Sequence, residues 1–390
     1  MSADRATAIL AEMPTPDYNT NYQPHYAESD LAAAITEMCS TEPIVKPASI
    51  YSLRDRLGKI VTDDNPDTII IEGRCAEPVD LHLPIGSLVS HALVARGLVQ
   101  MHFGGRALHI RRHIQGVKPR SSEFEETPSG LVVSYMGDGI NSADPRFRNP
   151  DASRLVAMGL QGRDLTDNLD AALGYHLPIA HEALSLPFEN SFKRRDPKTG
   201  ELLLATADMP WIGLRTNNPD GDHVRLLSDI ANPVGVKIGS NTIPDEIIAL
   251  NERLNPNNIP GKLTFMLRTG PNNTDKLSAI AEAIAKHAPN SLTMHDIHGD
   301  TRQENVDGQS YKLRVVTEIV GNIACTSEIL EDAGLNLNGI HIETTPYHDR
   351  LECVDEPGEL PTHPGGVDPQ LNPRQTHQLY KQAAPILLAS

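Results

Sequence analysis

The sequence predicts an α/β protein: a TIM (β/α)8 barrel with a short N-terminal extension. From Thr68 onward, short apolar runs alternate with longer amphipathic stretches, which is typical of β-α units around a parallel sheet. Eight such units fit into about 280 residues, as in a TIM barrel. A doubly wound open sheet is the main alternative, but no G-x-G-x-x-G follows the first apolar run, which disfavours it.

The predicted elements follow the chain in order. The strands are Thr68–Cys75, Ala107–Ile114, Tyr175–Leu186, Met209–Leu214, Asn232–Ile238, Leu263–Arg268, Ser291–Ile297 and Gly339–Thr344. The helices between them are Ile85–Val99, Ala152–Leu173, Asp222–Ile230, Pro244–Leu254, Asp275–His287 and Leu313–Ala333.

The first part of the chain differs from the rest. Residues 1–28 are polar and rich in turn formers, and short helices are predicted for Ser29–Ser40 and Ser52–Ile60. We therefore divide the chain into an N-terminal arm with short helices, residues 1–65, and a catalytic barrel, residues 66–390.

Composition excludes several classes of protein. No run approaches the roughly 20 apolar residues of a membrane helix, and the start has no basic flank or apolar stretch of a secretory signal. A net charge of -17 disfavours binding to nucleic acid. The four cysteines show no paired spacing, so we expect reduced thiols in a cytoplasmic protein without membrane or nucleic-acid partners.

Polar residues stand where the predicted strands end, the edge that carries the active site of a TIM barrel. They are Cys75, Arg111, Arg215, Lys237, Arg268, His298 and Glu343. Separate cations suit a substrate with phosphate and carboxylate groups. A thiol, an imidazole and carboxylates favour manganese, iron, cobalt or zinc over magnesium, and spacing does not choose among these ions. Taken singly, such a cysteine is more often a packing residue and such a cation an ion-pair partner on the rim.

Nine segments, in order along the chain, resemble the class II 3-deoxy-D-arabino-heptulosonate 7-phosphate (DAHP) synthases of plants and actinobacteria. The resemblance extends from about Glu42 to Asn372. The segments are Glu72–Glu77, Lys118–Ser121, Ser134–Asp138, His181–Leu184, Trp211–Thr216, Asn232–Lys237, His298–Thr301, Gly339–Glu343 and Asp368–Asn372.

The resemblance implies a role for each matching position. The metal ligands would be Cys75, His298, Glu343 and Asp368, with manganese expected and cobalt, iron or zinc as alternatives. Phosphoenolpyruvate would be held by Arg111, Arg215, Lys237 and Arg268. The aldose phosphate, erythrose 4-phosphate in typical members, would be held by Lys118, Arg120 and Ser121. Lys237 and Lys118 are the candidate catalytic residues. The partners expected are small-molecule substrates and further copies of the chain in a homo-oligomer.

Several positions depart from the family pattern. The usual Trp-Ile-Gly-Glu-Arg-Thr has Leu214 in place of its Glu, and the usual Ser-Tyr-Arg-Gly-Asp has Met136 in place of its Arg. The usual Asp-Pro-Met-His-Gly reads His295-Asp296-Ile297-His298-Gly299.

Three functions stay open on the sequence. The first is a metal-dependent DAHP synthase of the shikimate pathway, or of a copy of it in specialised metabolism. The second is a paralogue that condenses phosphoenolpyruvate with a different or modified aldose phosphate. The third is a non-catalytic regulatory or scaffold barrel, which would not be expected to keep all the ligands and substrate cations.

Overall fold

Eight parallel strands close into a barrel in the computed structural model of the chain. The structure describes residues 2–16, 21–64, 66–74, 84–113, 116–118, 122–128, 130–270, 272–362 and 368–389. The barrel strands are β1 (Thr68–Gly73), β2 (Ala107–Arg112), β5 (Ile179–Glu182), β8 (Met209–Ile212), β9 (Val234–Gly239), β10 (Leu263–Arg268), β11 (Leu292–Asp296) and β14 (Gly339–Glu343).

Each barrel strand pairs in parallel with the next barrel strand along the chain, and β14 pairs with β1 to close the ring. Ile69 lies opposite Gly339, and Gly73 lies opposite Glu343. The predicted TIM barrel and all eight predicted strands are confirmed. The third strand is shorter than predicted at both ends, since it spans only Ile179–Glu182 and a helix begins at Leu186.

Helices surround the barrel. They are α1 (Ser2–Glu12), α2 (Glu28–Ser40), α3 (Pro47–Thr62), α4 (Ile85–Phe103), α5 (Ser153–Leu173), α6 (Leu186–Phe192), α7 (Asp222–Ser228), α8 (Pro244–Leu254), α9 (Thr274–His287), α10 (Val316–Asp332) and α11 (Pro373–Leu387). Among the described helices, none is long and apolar enough to cross a membrane.

The described residues also form three two-stranded hairpins outside the barrel sheet. They pair β3 (Phe124–Thr127) with β4 (Gly130–Val133), β6 (Lys193–Arg195) with β7 (Leu202–Leu204), and β12 (Arg302–Val306) with β13 (Gln309–Leu313). None of these hairpins was predicted from the sequence. The last predicted helix starts at Leu313, which belongs to β13, whereas α10 begins at Val316.

The N-terminal segment is more ordered than predicted. Residues 2–12 form a helix, so the expectation of a turn-rich start was wrong there. Ala6, Ile35 and Met38 of the first two helices share an apolar cluster with Leu155 of α5 and Phe188 of α6. The division of the chain at residue 65 stays a prediction.

The core has two layers. One apolar cluster fills the barrel and includes Ile69, Leu108, Trp211 and Met294. A larger cluster lies between the strands and the outer helices. Because successive residues of a strand face opposite sides, both faces of each barrel strand are buried.

Candidate active site

The inner face of the barrel becomes polar at the carboxyl ends of its strands. Ile110, Met266 and Met294 face the interior and belong to the cluster that fills it. Side chains two positions farther along a strand face the same way. The inward positions nearest the carboxyl ends are Arg112, Glu182, Lys237, Arg268, Asp296, His341 and Glu343.

Three of the predicted metal ligands lie together at this end. His298 Nε2 is 3.0 Å from Glu343 Oε1. One ligand atom from each of His298, Glu343 and Asp368 lies within 4.8 Å of the other two, a spacing that suits a single metal ion. Glu343 ends β14, and His298 lies in a single 3-10 turn, Ile297–Asp300, that follows β11. The fourth predicted ligand, Cys75, lies outside the described residues, two positions after Gly73.

Glu343 is fully buried among cations. Arg314 Nη1 donates to its Oε2 at 2.8 Å, and Arg112 donates to its Oε1. Burial alone would raise the pKa of Glu343, but His298, Arg112 and Arg314 hold that pKa well below its usual range. Glu343 is therefore an ionised carboxylate, which is the form that binds a metal ion.

Asp368 is also kept ionised. Burial would raise the pKa of Asp368, but Arg314 and His298 lower it. Lys312 Nζ donates to Asp368 Oδ1 at 2.9 Å, and Arg314 Nη2 lies 3.8 Å from Asp368 Oδ2. Arg314 thus reaches two of the predicted ligands from the segment between β13 and α10.

The contact between His298 and Glu343 fits a bound cation. His298 Nδ1 is 2.5 Å from Asp296 Oδ1, so its hydrogen lies on Nδ1 when the ring is neutral. The lone pair of Nε2 then faces a carboxylate oxygen at 3.0 Å. Two acceptors at this distance repel unless a proton or a metal ion lies between them. One imidazole nitrogen and two carboxylates suit a first-row divalent ion.

Asp296 and His341 extend the cluster towards Lys237. Asp296 Oδ1 accepts a hydrogen bond from His341 Nδ1 at 3.0 Å, and Asp296 Oδ2 lies 3.2 Å from Lys237 Nζ. Burial lowers the pKa of His341 to about 3, so this ring is neutral. Its plane stacks on His298 with ring centroids 5.3 Å apart. The Lys237 ammonium lies 5.6 Å from the centre of the Trp211 ring.

A cleft of about 410 Å³ opens beside these residues. It is lined by Leu214, Asn217, Gly239, Ser240, Asn241, Thr242, Glu246, Arg268, Thr269, His298 and Gly299. Arg268 and His298, both predicted from sequence, therefore line one cavity. Arg215 is exposed in the loop after β8, and the described residues offer its side chain no hydrogen bond or ion pair.

The two neighbouring arginines of β2 have opposite surroundings. Arg111, predicted as a phosphoenolpyruvate ligand, points away from the barrel interior. Its Nη1 donates to both carboxylate oxygens of Glu72 at 2.6 Å, and its Nη2 lies 2.9 Å from Nδ1 of His91 on α4. Arg112 instead contacts Glu343 and stands over Trp211. The structure thus brings Arg112, and not Arg111, to the predicted metal ligands.

The residues predicted to hold the aldose phosphate are only partly described. Lys118 Nζ lies 4.7 Å from the centre of the Tyr135 ring. Arg120 and Ser121 fall outside the described residues. Met136, which replaces an arginine of the family pattern, is 3% exposed and packs in the apolar cluster under α1 and α2.

Sequence reasoning missed Arg112, Arg314 and Asp296. Period-two alternation from Leu108 and Ile110 would have placed Arg112 inside the barrel, had the inner face of that strand been known. The same alternation from Leu292 and Met294 would have pointed to Asp296. We find no pattern in the sequence that singles out Arg314, because it lies outside the barrel strands.

Comparison with known proteins identifies the family. A sequence model described as the Class-II DAHP synthetase family matches residues 15–173 and 157–384. The chain belongs to the class II DAHP synthetase family. A probable phospho-2-dehydro-3-deoxyheptonate aldolase of Pseudomonas fluorescens is 30% identical over 379 residues, which cover 90% of this chain and 92% of the relative. A phospho-2-dehydro-3-deoxyheptonate aldolase of Streptomyces coelicolor is 25% identical over 454 aligned positions, which cover 97% of this chain and 98% of the relative. In this class II DAHP synthetase, the polar cluster lies at the carboxyl ends of the barrel strands. That end of the barrel carries the active site in TIM-barrel enzymes.

Proposed function

We propose that this protein is a metal-dependent DAHP synthase, which condenses phosphoenolpyruvate with erythrose 4-phosphate to give DAHP and inorganic phosphate. The observation that carries the proposal is the convergence of His298, Glu343 and Asp368 beside the cations of the barrel mouth. Both relatives are named for this activity. A cytoplasmic location and a homo-oligomeric state stay predictions.

In this proposal the metal is held by Cys75, His298, Glu343 and Asp368, with manganese as the expected ion. A divalent ion bound there would supply Lewis acidity towards the aldehyde of the aldose phosphate. The chain contributes ionised carboxylates, since cations beside Glu343 and Asp368 keep both deprotonated.

The chain's cations hold the two anionic substrates in reacting geometry. C3 of phosphoenolpyruvate forms a bond to the aldehyde carbon, whose oxygen takes up a proton. Water adds at C2, and the bond from C2 to the phosphate oxygen breaks. In this proposal Arg112, Lys237 and Arg268 hold phosphoenolpyruvate. Arg111 and Arg215, which the sequence also predicts for this role, stay predictions. Lys237 is the candidate proton donor to the departing phosphate, and Lys118 with Arg120 and Ser121 would hold the aldose phosphate.

One observation favours a second candidate, a paralogue with a different or modified aldose phosphate. Leu214 lines the cleft with Arg268 and His298. Its side chain fills the space above Gly239, where an added Cβ would lie 2.8 Å from Leu214 Cδ1. The family pattern has a glutamate at this position, so the cleft wall here is apolar instead of anionic.

The test uses purified protein, treated with a chelator and then loaded with Mn²⁺. It is given phosphoenolpyruvate and a panel of aldose phosphates, and both phosphate release and product mass are measured. Turnover with erythrose 4-phosphate supports the first candidate, and selective turnover with another aldose phosphate supports the second. No consumption of phosphoenolpyruvate with any acceptor would reject both and leave a regulatory or scaffold barrel.

Two matched variants make the result specific. His298→Gln removes a predicted ligand and should abolish turnover. His102→Gln changes a histidine on α4 that contacts His377 of α11 and lies outside the proposed site, so activity should be retained. In a third variant, Leu214→Glu restores the family residue and should shift the acceptor preference towards erythrose 4-phosphate if the second candidate is correct.

A further inference from the structure

Asp296 is a carboxylate at the centre of the site that the family pattern does not provide. It ends β11 on the inward face and is 0% exposed. The family pattern has proline at this position, which has no side-chain acceptor. In the same pattern a glutamate precedes the arginine of the β8 loop, where this chain has Leu214. The pattern also has aspartate at the position of His295, so the carboxylates around these strand ends differ from the pattern in position, and Asp296 is the one that this chain places on the inward face.

Three groups converge on Asp296. His298 Nδ1 lies 2.5 Å and His341 Nδ1 3.0 Å from its Oδ1, and Lys237 Nζ lies 3.2 Å from its Oδ2. Among the described residues its Oδ2 makes the ion pair with Lys237 but no hydrogen bond. Because Asp296 is fully buried, its contacts with these three described side chains are electrostatically stronger than they would be at the surface.

We propose that Asp296 is a positioning residue that orients the His298 imidazole for the metal and holds the Lys237 ammonium beside it. The inference rests on the proposed function, since it assumes that His298 is a metal ligand. A metal-bound histidine commonly donates its other ring N–H to a carboxylate, which fixes its tautomer and raises its basicity. Asp296 accepts a hydrogen bond from Nδ1–H of His298, so the Nε2 lone pair is directed towards Glu343 and Asp368.

A different use of Asp296, as a metal ligand itself, is disfavoured by Lys237. Single atoms of Asp296, His298 and His341 lie within 4.8 Å of one another, as in a metal site. However, Lys237 Nζ lies 3.2 Å from Asp296 Oδ2 and 3.4 Å from His298 Nδ1. The ammonium already supplies a positive charge there and would repel a second cation. Asp296 is thus better suited to orient the ligand His298 than to bind metal.

The test measures metal binding, independently of turnover. Metal-free protein is titrated with Co²⁺, whose visible absorption reports the ligands, and the dissociation constant is obtained by competition with a chelator. We expect Asp296→Asn and Asp296→Ser to weaken Co²⁺ binding by about 10- to 100-fold, the range found when such a partner is removed. Both variants are measured, so that if one fails to fold, the other still tests the proposal. Circular dichroism confirms that each variant is folded.

Asp208→Asn is the matched control. Asp208 is also a fully buried carboxylate bonded to a histidine, with Oδ2 2.9 Å from His176 Nε2, but it lies before β8 at the opposite end of the barrel. Its substitution should lower the melting temperature and leave Co²⁺ affinity unchanged.

The outcomes separate the inference from the function on which it rests. If folded Asp296 variants bind Co²⁺ as tightly as the parent, with an unchanged spectrum, the positioning role is wrong although the metal site stands. If the parent and His298→Gln give the same weak, featureless titration, the metal site itself is wrong. Equal weakening in the Asp208→Asn control would also overturn the inference, because loss of any buried carboxylate would then produce the effect.

Discussion

Arg111 and Arg112 are adjacent in sequence but point to opposite faces of β2 and contact different carboxylates. Arg111 forms an ion pair with Glu72 on the outward face of the strands. Burial would raise the pKa of Glu72, but Arg111 and His109 lower it. Arg112 faces the interior, where it contacts Glu343. Removing one partner of a buried ion pair leaves the other charge uncompensated, which is strongly destabilising. The two arginines should therefore give opposite phenotypes when they are replaced.

We predict that Arg112→Met raises the KM for phosphoenolpyruvate or abolishes turnover while the protein stays folded, since Glu343 keeps Arg314 and His298 as partners. Arg111→Met should instead lower the free energy of unfolding by about 3–5 kcal/mol, because Glu72 loses the guanidinium that donates to both of its oxygens. Steady-state kinetics and urea denaturation of both variants check this. A kinetic defect in a fully stable Arg111→Met, with none in Arg112→Met, would instead support Arg111 as a phosphoenolpyruvate ligand.

These residues show what the sequence could and could not predict about the site. Lys237, Arg268, His298 and Glu343 stand at the ends of apolar runs, and the structure brings them to the barrel mouth. For β2, the sequence does not show whether Arg111 or Arg112 faces the barrel interior. Both faces of a TIM-barrel strand are buried, so hydrophobicity does not distinguish the inward face from the outward one. Asp296 departs from the family pattern, but its role could not be predicted from sequence because its three partners lie at the ends of three different strands.

At the scale of elements, His176 links α5 to the start of β8 through two carboxylates. It follows the end of α5, where Nδ1 lies 2.7 Å from Asp170 Oδ2 and Nε2 lies 2.9 Å from Asp208 Oδ2. Burial alone would lower the pKa of His176, but the two carboxylates raise it from 6.5 to about 10. The imidazolium is therefore the form that stabilises this contact.

A raised pKa in the folded state fixes the direction of the pH dependence. The stability contributed by His176 should be fully present below about pH 6.5, the value for an unfolded histidine, and should be lost as pH rises towards about 10. We predict that His176→Gln lowers the melting temperature at pH 6 and that the difference from the parent shrinks by pH 10. Thermal melts of both proteins across this range measure it. A difference that grows with pH would contradict the assignment.

The elements were predicted unevenly for physical reasons. The barrel strands are apolar runs bounded by turn residues, and each was predicted, as were the helices between them from α4 to α10 except α6. Helix α6 has only seven residues, too few for a helical period to be read, and the three hairpins are short. Helix α11 could have been predicted from its start. Asn372 and Gln375 form a capping box with Pro373 at the first helical position, which is a recognisable start signal in the sequence.

At the scale of the whole molecule, the barrel closes where β1 pairs with β14, which are the first and last barrel strands along the chain. Gly339 allows a close approach there, because an added Cβ would lie 2.0 Å from the carbonyl oxygen of Ile69. We predict that Gly339→Ala lowers the free energy of unfolding by about 1–3 kcal/mol, the usual cost of overpacking. Chemical denaturation measures the change.

Gly321 gives the matched control. It lies within α10, and an added Cβ would meet nothing within 4 Å. Gly321→Ala should stabilise the protein by roughly 0.5–1 kcal/mol, because alanine loses less backbone entropy than glycine in a helix. Equal effects from the two substitutions would mean that the contact between β1 and β14 does not limit closure.

The proposed metal would join the same distant segments. His298 follows β11, Glu343 ends β14 and Asp368 precedes α11, so a bound ion would cross-link elements that separate when the barrel opens. A ligand that binds only the native state stabilises it by mass action, by about 2.7 kcal/mol at a free concentration 100-fold above Kd. We predict that Mn²⁺ raises the melting temperature of chelator-treated protein and that EDTA reverses the shift. In His298→Gln the shift should be much smaller, whereas in His102→Gln it should match the parent. An equal shift in all three proteins would indicate non-specific binding to a chain of net charge -17, and the site built around His298 would then have to be rejected.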